Sequence, residues 1–346
     1  MKYIGNKTRL LDFINKSLVK AKLPQNGIFI DIFSGTGSVG KYFKNKNYKV
    51  ISNDFMTYSY IAQYVLIKIN KMPNFENVSQ NGISGILQEL NTIRPKSGYV
   101  FNNFAPSGKE KRQYFSDDNA RKIDAIRDRI ESWRNDKLLS DDEYYILVYS
   151  LIDAADFVAN IAGTYGAYLK IWRSMALKNL ELKIPDITNN NFRNEVFQED
   201  ANCLIKKITG DILYLDPPYN ERQYASNFHI LETLAVWDKQ KLSGKTGQRD
   251  YSNKKSAYSQ KTNSIKAFED LILNANTKYI VLSYNNEGII QRDEILRILN
   301  NKGIVSEYTT DYRRFRTERD HKKRHYKKCD DKVIEHLFII KVNKRK

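Results

Sequence analysis

Apolar residues at the start of the chain switch repeatedly between two spacings. Lys7 to Lys22 places them three and four apart, the period of an amphipathic helix, and Gly27-Ile-Phe-Ile-Asp31 is a short unbroken run that ends on an acid. Helical spacing resumes over Ser38 to Lys46, a second short run at Tyr48 to Ser52 closes on Asn53-Asp54, and Met56 to Lys71 is helical again. Strands alternating with helices in this way predict a parallel sheet of the α/β class. From about Met72 to Asn191 the alternation stops. Helical patterns dominate there, over Ile83 to Ile93, Ala120 to Trp133 and Asp141 to Asn160, joined by polar loops such as Asn102 to Ser116. Strand-like runs then return at Glu195 to Gln198, Ile212 to Leu215 and Tyr279 to Ser283. Ile304 to Thr310 and Val333 to Val342 bracket a very basic loop, the pattern of an antiparallel hairpin at a sheet edge. The expected organisation is an α/β sheet domain built from residues 1–71 and 192–346, interrupted by a mainly helical insertion at 72–191.

Composition changes this picture in one respect. Lysine and arginine number 57 against 40 acids, a formal charge of +17, which points to a polyanionic partner and says nothing about fold. At 41% hydrophobic and 28% charged residues, wholesale disorder, a collagen-like repeat and a disulfide scaffold are excluded. No apolar run approaches the ~18 residues of a membrane span, and Met1 to Leu10 leads into a polar helix pattern and not a signal core. The chain is thus expected to be soluble, unprocessed, away from membranes and in a reducing cytoplasm. Cys203 and Cys329 are its two cysteines, too few for a disulfide framework, and no metal is expected.

Two motifs carry the chemistry. Asp31-Ile-Phe-Ser-Gly-Thr-Gly-Ser-Val-Gly40 holds G-x-G-x-x-G at Gly35, Gly37 and Gly40, directly after a strand and opening a helix, the context of a dinucleotide loop. Glycines let the backbone turn sharply and approach a ligand, and Asp54, at the end of the next strand, is placed for ribose hydroxyls. The acid at the head of the loop, Asp31, would repel a pyrophosphate and suits a cationic ligand. That favours S-adenosylmethionine, whose ammonium and sulfonium are both positive, over a nicotinamide cofactor. Ile212-Leu-Tyr-Leu-Asp216-Pro217-Pro218-Tyr219 is a strand running into a rigid corner, because proline fixes its backbone angle and has no N-H. The carboxylate of Asp216 and the corner's carbonyls can accept from an amino group while Tyr219 stacks on a planar base. A base within a duplex reaches such a corner only by leaving the stack, at a cost of about a few kcal/mol.

These motifs, together with Lys2-Tyr3-Ile4-Gly5-Asn6-Lys7 at the N-terminus, resemble the Dam-like, alpha-group family of adenine-specific DNA methyltransferases. Asn220-Glu-Arg-Gln-Tyr-Ala-Ser-Asn-Phe-His-Ile-Leu-Glu-Thr, Tyr284-Asn-Asn-Glu-Gly and Arg313-Arg-Phe-Arg resemble its restriction-modification-associated branch. The resemblance covers the sheet-forming segments and implies a Rossmann-like S-adenosylmethionine-dependent methyltransferase sheet with an inserted target-recognition domain. It implies that Tyr3 and Lys7 border the methionyl part of the cofactor and that Asp31, Phe33, Gly35 and Gly37 form its loop. Asp54 then takes the ribose, Asp200 (with Glu199 as the alternative) the cofactor adenine, and Asp216, Pro217, Pro218 and Tyr219 the target adenine. Members of the family often carry Trp where this chain has Tyr3.

The DNA partner is expected along Arg313 to Lys328, which carries nine basic residues (313, 314, 316, 319, 322, 323, 324, 327, 328) against two acids, Glu318 and Asp320. Arg313, Arg314, Arg316, Lys322, Lys323 and Arg324 are the phosphate-contact candidates. Arg222 and Tyr224, just after the corner, are candidates for closing over the flipped base or filling its space, and Lys239 to Lys261 reads as a polar segment that orders on DNA. Arg112, Gln113 and Tyr114 are candidate base readers in the insertion. The expected activity is methylation of N6 of a flipped adenine in double-stranded DNA, with a cognate restriction endonuclease as a companion in the same system and no stable protein partner implied. Competing readings are methylation of the cytosine amine, which goes more often with Ser in place of Asp216, a DNA-binding module without catalysis, and a metal-dependent nuclease using Asp216 and Glu221.

Overall fold

The computed structural model describes residues 7–313 and 332–343. Seven strands form one sheet: β1 (Ile28–Asp31), β2 (Lys49–Asn53), β3 (Glu195–Phe197), β4 (Gly210–Leu215), β5 (Thr277–Asn285), β6 (Gly303–Arg313) and β7 (Lys332–Val342). Their order is β3-β2-β1-β4-β5-β7-β6. The first five are parallel, and β7 runs antiparallel between β5 and β6. The expected edge hairpin is therefore present, its strands longer than the apolar runs that predict it.

The inner strands read as unbroken apolar runs because both faces of the sheet are covered. On one face Ile30, Leu213, Leu215, Ile280 and Leu282 pack with Phe268, Leu271, Ile295 and Leu299 of helices Ser264–Asn274 and Arg292–Asn300. On the other, Phe29 stacks on Phe43 of helix Ser38–Asn45, their ring centroids 3.9 Å apart. The chain leaves β1 towards β2 and β3, then returns on the far side of β1 as β4. This reversal between β1 and β4 opens a crevice at their carboxyl ends, where open α/β sheets bind ligands.

The chain divides into two compact units, and their limits differ from the compositional ones. Of the described residues, the sheet unit takes 7–55, 190–223, 254–313 and 332–343, while 56–189 and 224–253 form a helical unit. Segment 224–253 joins the helical unit through side chains that hydropathy does not reveal. Arg127, fully buried, donates to Leu234 O (2.9 Å), Glu131 Oε2 (2.6 Å) and the Tyr144 hydroxyl (2.8 Å). Arg112 donates to the carbonyls of Asn103, Gly244 and Lys245. Lys239 to Lys261 is accordingly not structureless: Arg249 pairs with Asp238, and short 3-10 turns form at Ser252–Lys254 and Ala257–Ser259. Helices Asp117–Asn135 and Asp141–Val158 begin at Ser116 and Ser140, whose hydroxyls accept the Asn119 and Glu143 amides.

Local form departs from the expected helices in three places. Lys7–Leu10 is a 3-10 turn before helix Leu11–Lys20, Tyr64–Lys68 is a π turn, and helix Tyr99–Phe104 occupies part of a segment that reads as loop. Asp124 explains the last, accepting the amides of Gly98, Val100 and Phe101 at that helix's start. No helix among the described residues is long and apolar enough to cross a membrane.

Replacing Arg127 by Ala strands the Leu234 carbonyl and removes the guanidinium from the Glu131 carboxylate and the Tyr144 hydroxyl. The expected loss is about 2–4 kcal/mol, measured as a lower urea midpoint at an unchanged denaturant slope.

Candidate active site

β1 delivers Asp31 to the crevice, and the loop that follows is bent by two glycines in the left-handed region, Gly35 at φ 52° and Gly37 at φ 81°. Residues with a Cβ adopt these angles only with strain. Asp31 is 1% exposed. Its Oδ2 accepts the Ser34 hydroxyl (2.8 Å) and the Gly40 amide (3.1 Å), so the carboxylate closes the loop onto the following helix. Its Oδ1 is buried with no hydrogen-bond partner among the described residues. Burial, with Asp216 and Asp54 nearby, pushes the Asp31 carboxyl up to about 7 against the hydrogen bonds that favour its ionised form. An orphaned, hard-to-ionise oxygen of this kind is suited to a cation.

Asn53, at the end of β2, fixes the neighbouring loops. Its Nδ2 donates to the carbonyls of Ile32 and Glu199, both at 3.1 Å, and its Oδ1 accepts the Glu199 amide at 2.9 Å. The sequence gives it no motif, and its role appears only when β1 and β3 flank β2. Asp54 Oδ2 accepts the Gly35 amide at 2.9 Å and braces the loop from below. Phe33 packs edge-on against Tyr258, whose hydroxyl donates to Asn202. Asp200 caps helix Ala201–Leu204 by accepting the amides of Asn202 and Cys203, while the Glu199 side chain pairs with Lys207.

β4 delivers Asp216, and Pro217-Pro218 turns the chain so that the Tyr219 carbonyl accepts the Ile289 amide (3.0 Å) beyond β5. The Tyr219 ring lies edge-on to Tyr284, centroids 6.4 Å apart. Lys7 Nζ stands 3.2 Å from Asp216 Oδ1, an ion pair in which that oxygen still lacks a well-formed hydrogen bond. Burial raises the Asp216 carboxyl to about 6, Lys7 opposing the shift and Glu335 adding to it. Lys7 itself is held well above its ordinary value, its burial outweighed by Asp216 and Glu335. Glu335 on β7 has no counterpart in the sequence motifs.

Lys7, Asp31, Phe33, Gly35, Gly37, Asp54, Asp200 and Asp216 thus all belong to the sheet unit, at the carboxyl ends of its strands or in the turns beside them. Arg222 is exposed after the corner, and Glu221 there pairs with Lys261. Tyr224 stacks on Phe228 within the helical unit. Arg112 and Tyr114 are buried and act as struts, and Gln113 donates to the carbonyls of Leu169 and Lys170. Tyr3, Arg314, Arg316, Lys322, Lys323 and Arg324 lie outside the described residues, as does the Arg313 side chain. The backbone ends of the hairpin, Arg313 and Lys332, are paired beyond Asn285 at the carboxyl end of β5.

A family model described as D12 class N6 adenine-specific DNA methyltransferase matches residues 3–298. The Type II methyltransferase M.FokI of Planomicrobium okeanokoites is 41% identical over 346 residues, covering 98% of this chain and 52% of that protein. The modification methylase StsI of Streptococcus sanguinis is also 41% identical, with the same coverage. The Type II methyltransferase M.NlaIII of Neisseria lactamica is 39% identical over 342 residues, 98% of this chain and 99% of its own. The chain spans about half the length of the first two and nearly all of the third.

The raised carboxyl of Asp31 has a consequence for folding. The folded chain binds more protons there than the unfolded one between pH ~4 and ~7, so the group's contribution to stability falls as pH rises through that window. Asp31→Asn removes the buried charge and should stabilise the ligand-free protein by about 2–4 kcal/mol above pH 7. The gain should vanish near pH 4, as followed by thermal unfolding across pH.

Proposed function

The chain belongs to the D12 class of N6 adenine-specific DNA methyltransferases, and from that premise we propose that it methylates N6 of an adenine flipped out of duplex DNA, using S-adenosylmethionine. The observation that carries this reading is the pair of carboxylates at the ends of the adjacent strands β1 and β4: Asp31, buried, whose Oδ1 lacks a hydrogen bond among the described residues, and Asp216, partly buried, with Lys7 at its Oδ1. One suits the ammonium of the methyl donor and the other an exocyclic amine.

S-adenosylmethionine, when bound, supplies a methyl group already activated on a sulfonium. Asp31 Oδ1 holds the methionyl ammonium, and the Gly35–Gly37 turn lets the backbone close on the ligand. Asp54 accepts from the ribose hydroxyls, Phe33 flanks the adenosine, and Asp200 or Glu199 takes its amine. Lys7, with Tyr3, borders the methionyl end. Asp216 and the carbonyl ahead of Pro217-Pro218 accept the two hydrogens of the target N6, which draws its lone pair out of conjugation with the ring. Tyr219 stacks on the flipped base and offsets part of its unstacking cost. The proton shed by N6 passes to Asp216 or to water.

Duplex DNA is held by the basic stretch that follows Arg313. The hairpin supports this, because β6 ends and β7 begins at the carboxyl end of β5, the edge that carries the catalytic corner. Arg222 and Tyr224 follow the corner and meet the flipped nucleotide or the gap it leaves. The helical unit reads the recognition sequence. Within the family the chain falls in the Dam-like alpha group, acts in the cytoplasm and works beside a cognate restriction endonuclease; the printed names of its relatives, a modification methylase and a Type II methyltransferase, support the last of these.

Asp216→Ala tests the assignment. Methyl transfer to adenine in DNA, read by digestion to nucleosides, should fall at least a hundredfold while S-adenosylmethionine still binds. Retained turnover, or methylcytosine as the product of the unaltered protein, would overturn it.

A further inference from the structure

Beneath the Asp-Pro-Pro-Tyr corner, three charged side chains meet from distant parts of the chain. Lys7 Nζ donates to Glu335 Oε1 at 2.6 Å and lies 3.2 Å from Asp216 Oδ1. Ser283 Oγ, on β5, donates to the same Glu335 oxygen at 2.6 Å. Lys7 is 6% exposed and Glu335 4%. The shorter contact of the lysine is therefore with Glu335 and the longer with the catalytic carboxylate. Residue 335 also lies beyond the segment 3–298 that the family model matches.

A lysine of this length has many rotamers, and holding one of them takes a partner that is itself fixed. Glu335 is fixed twice. Its backbone is locked in β7 between Asn285 of β5 and Thr310 of β6, and its carboxylate is tied to Ser283. Asp216 stands at the end of a strand and turns into prolines that can donate nothing to it. The cation of Lys7 is what orients it from below.

We propose that Glu335 is a positioning residue for the methyl-transfer reaction. It anchors Lys7 under Asp216 so that one carboxylate oxygen faces the lysine and the other faces the substrate amine. This rests on the role given to Asp216 above.

The arrangement also sets the charge at the corner. Asp216 is faced by Lys7 from the N-terminal turn, Glu335 from β7, the Tyr214 hydroxyl from its own strand and Asp31 from β1, with Ser283 behind on β5. One cation for two close carboxylates leaves an excess negative charge. Glu335 therefore helps to keep Asp216 near the point of taking up a proton while holding the lysine that opposes protonation. Removing the charge of Glu335 and keeping its shape leaves the positive charge of Lys7 to Asp216 alone.

The test compares Glu335→Gln with Glu335→Leu in the full chain. Glutamine keeps the acceptor for Lys7 and Ser283 without the charge. By carbon-13 titration of the carboxyls, with Asp216→Asn to identify the signal, the apparent Asp216 pKa should fall by about one unit in Glu335→Gln. The acid limb of kcat should move down with it. Leucine removes the anchor, and kcat should fall at least tenfold at unchanged KM for DNA, with glutamine restoring most of that loss. An unmoved Asp216 titration in Glu335→Gln, or wild-type kcat in Glu335→Leu, would overturn the proposal. The titration reads the cluster without turnover, so an unaltered protein that methylates no DNA would count against the functional reading and leave the titration result to decide this one.

Discussion

Burying a carboxylate without a fully matching cation is unfavourable, and the sheet unit does so at the carboxyl ends of two neighbouring strands. Asp31 and Asp216 follow or close β1 and β4, and both are pushed towards the neutral range by burial. Such a pair persists only where the surroundings determine it completely. Here they do: Ser34 and Gly40 fix Asp31, and Lys7, itself held by Glu335 and Ser283, faces Asp216. The sheet order then follows as a requirement. Only the reversal between β1 and β4 brings the glycine loop and the proline corner to one crevice, and only the antiparallel insertion of β7 beside β5 brings Glu335 under it.

This constraint separates two uses of charge. The chain carries a formal charge of +17, with nine basic residues between Arg313 and Lys328, while the crevice holds the acids Asp31, Asp54 and Asp216 with Lys7. An excess of basic residues attracts a polyanion over a distance set by salt screening. An acidic interior, screened far less, selects for cationic and amine-bearing groups.

Much of the sheet unit is legible in the sequence because its determinants are local. β1, β2 and β4 are apolar runs that stop at turn residues, and the glycine loop and the proline corner follow β1 and β4 directly. Asp31, Gly35, Gly37 and Asp216 are recognisable for the same reason. What the sequence hides is non-local. Lys7 and Glu335 are 328 positions apart, and an acid within the apolar strand β7 carries no sign of which face it occupies or what it meets there. Asn53 reads as an ordinary strand end until β1 and β3 take places on either side of it. The helical unit shows the same limit: Arg127 and Arg112 bind segment 224–253 by donating to backbone carbonyls, an interaction without periodicity, and Arg112 reads as a candidate base contact when it is a strut.

The central claim is that the crevice stores unneutralised carboxylate for a cation. It is tested most directly by counting protons when S-adenosylmethionine binds, using titration calorimetry at pH 7 in buffers of different ionisation enthalpy. With Asp31 near 7 in the ligand-free protein, arrival of the cation should complete its ionisation and release about half a proton per site. Binding with no proton exchange, or with net uptake, would contradict the account.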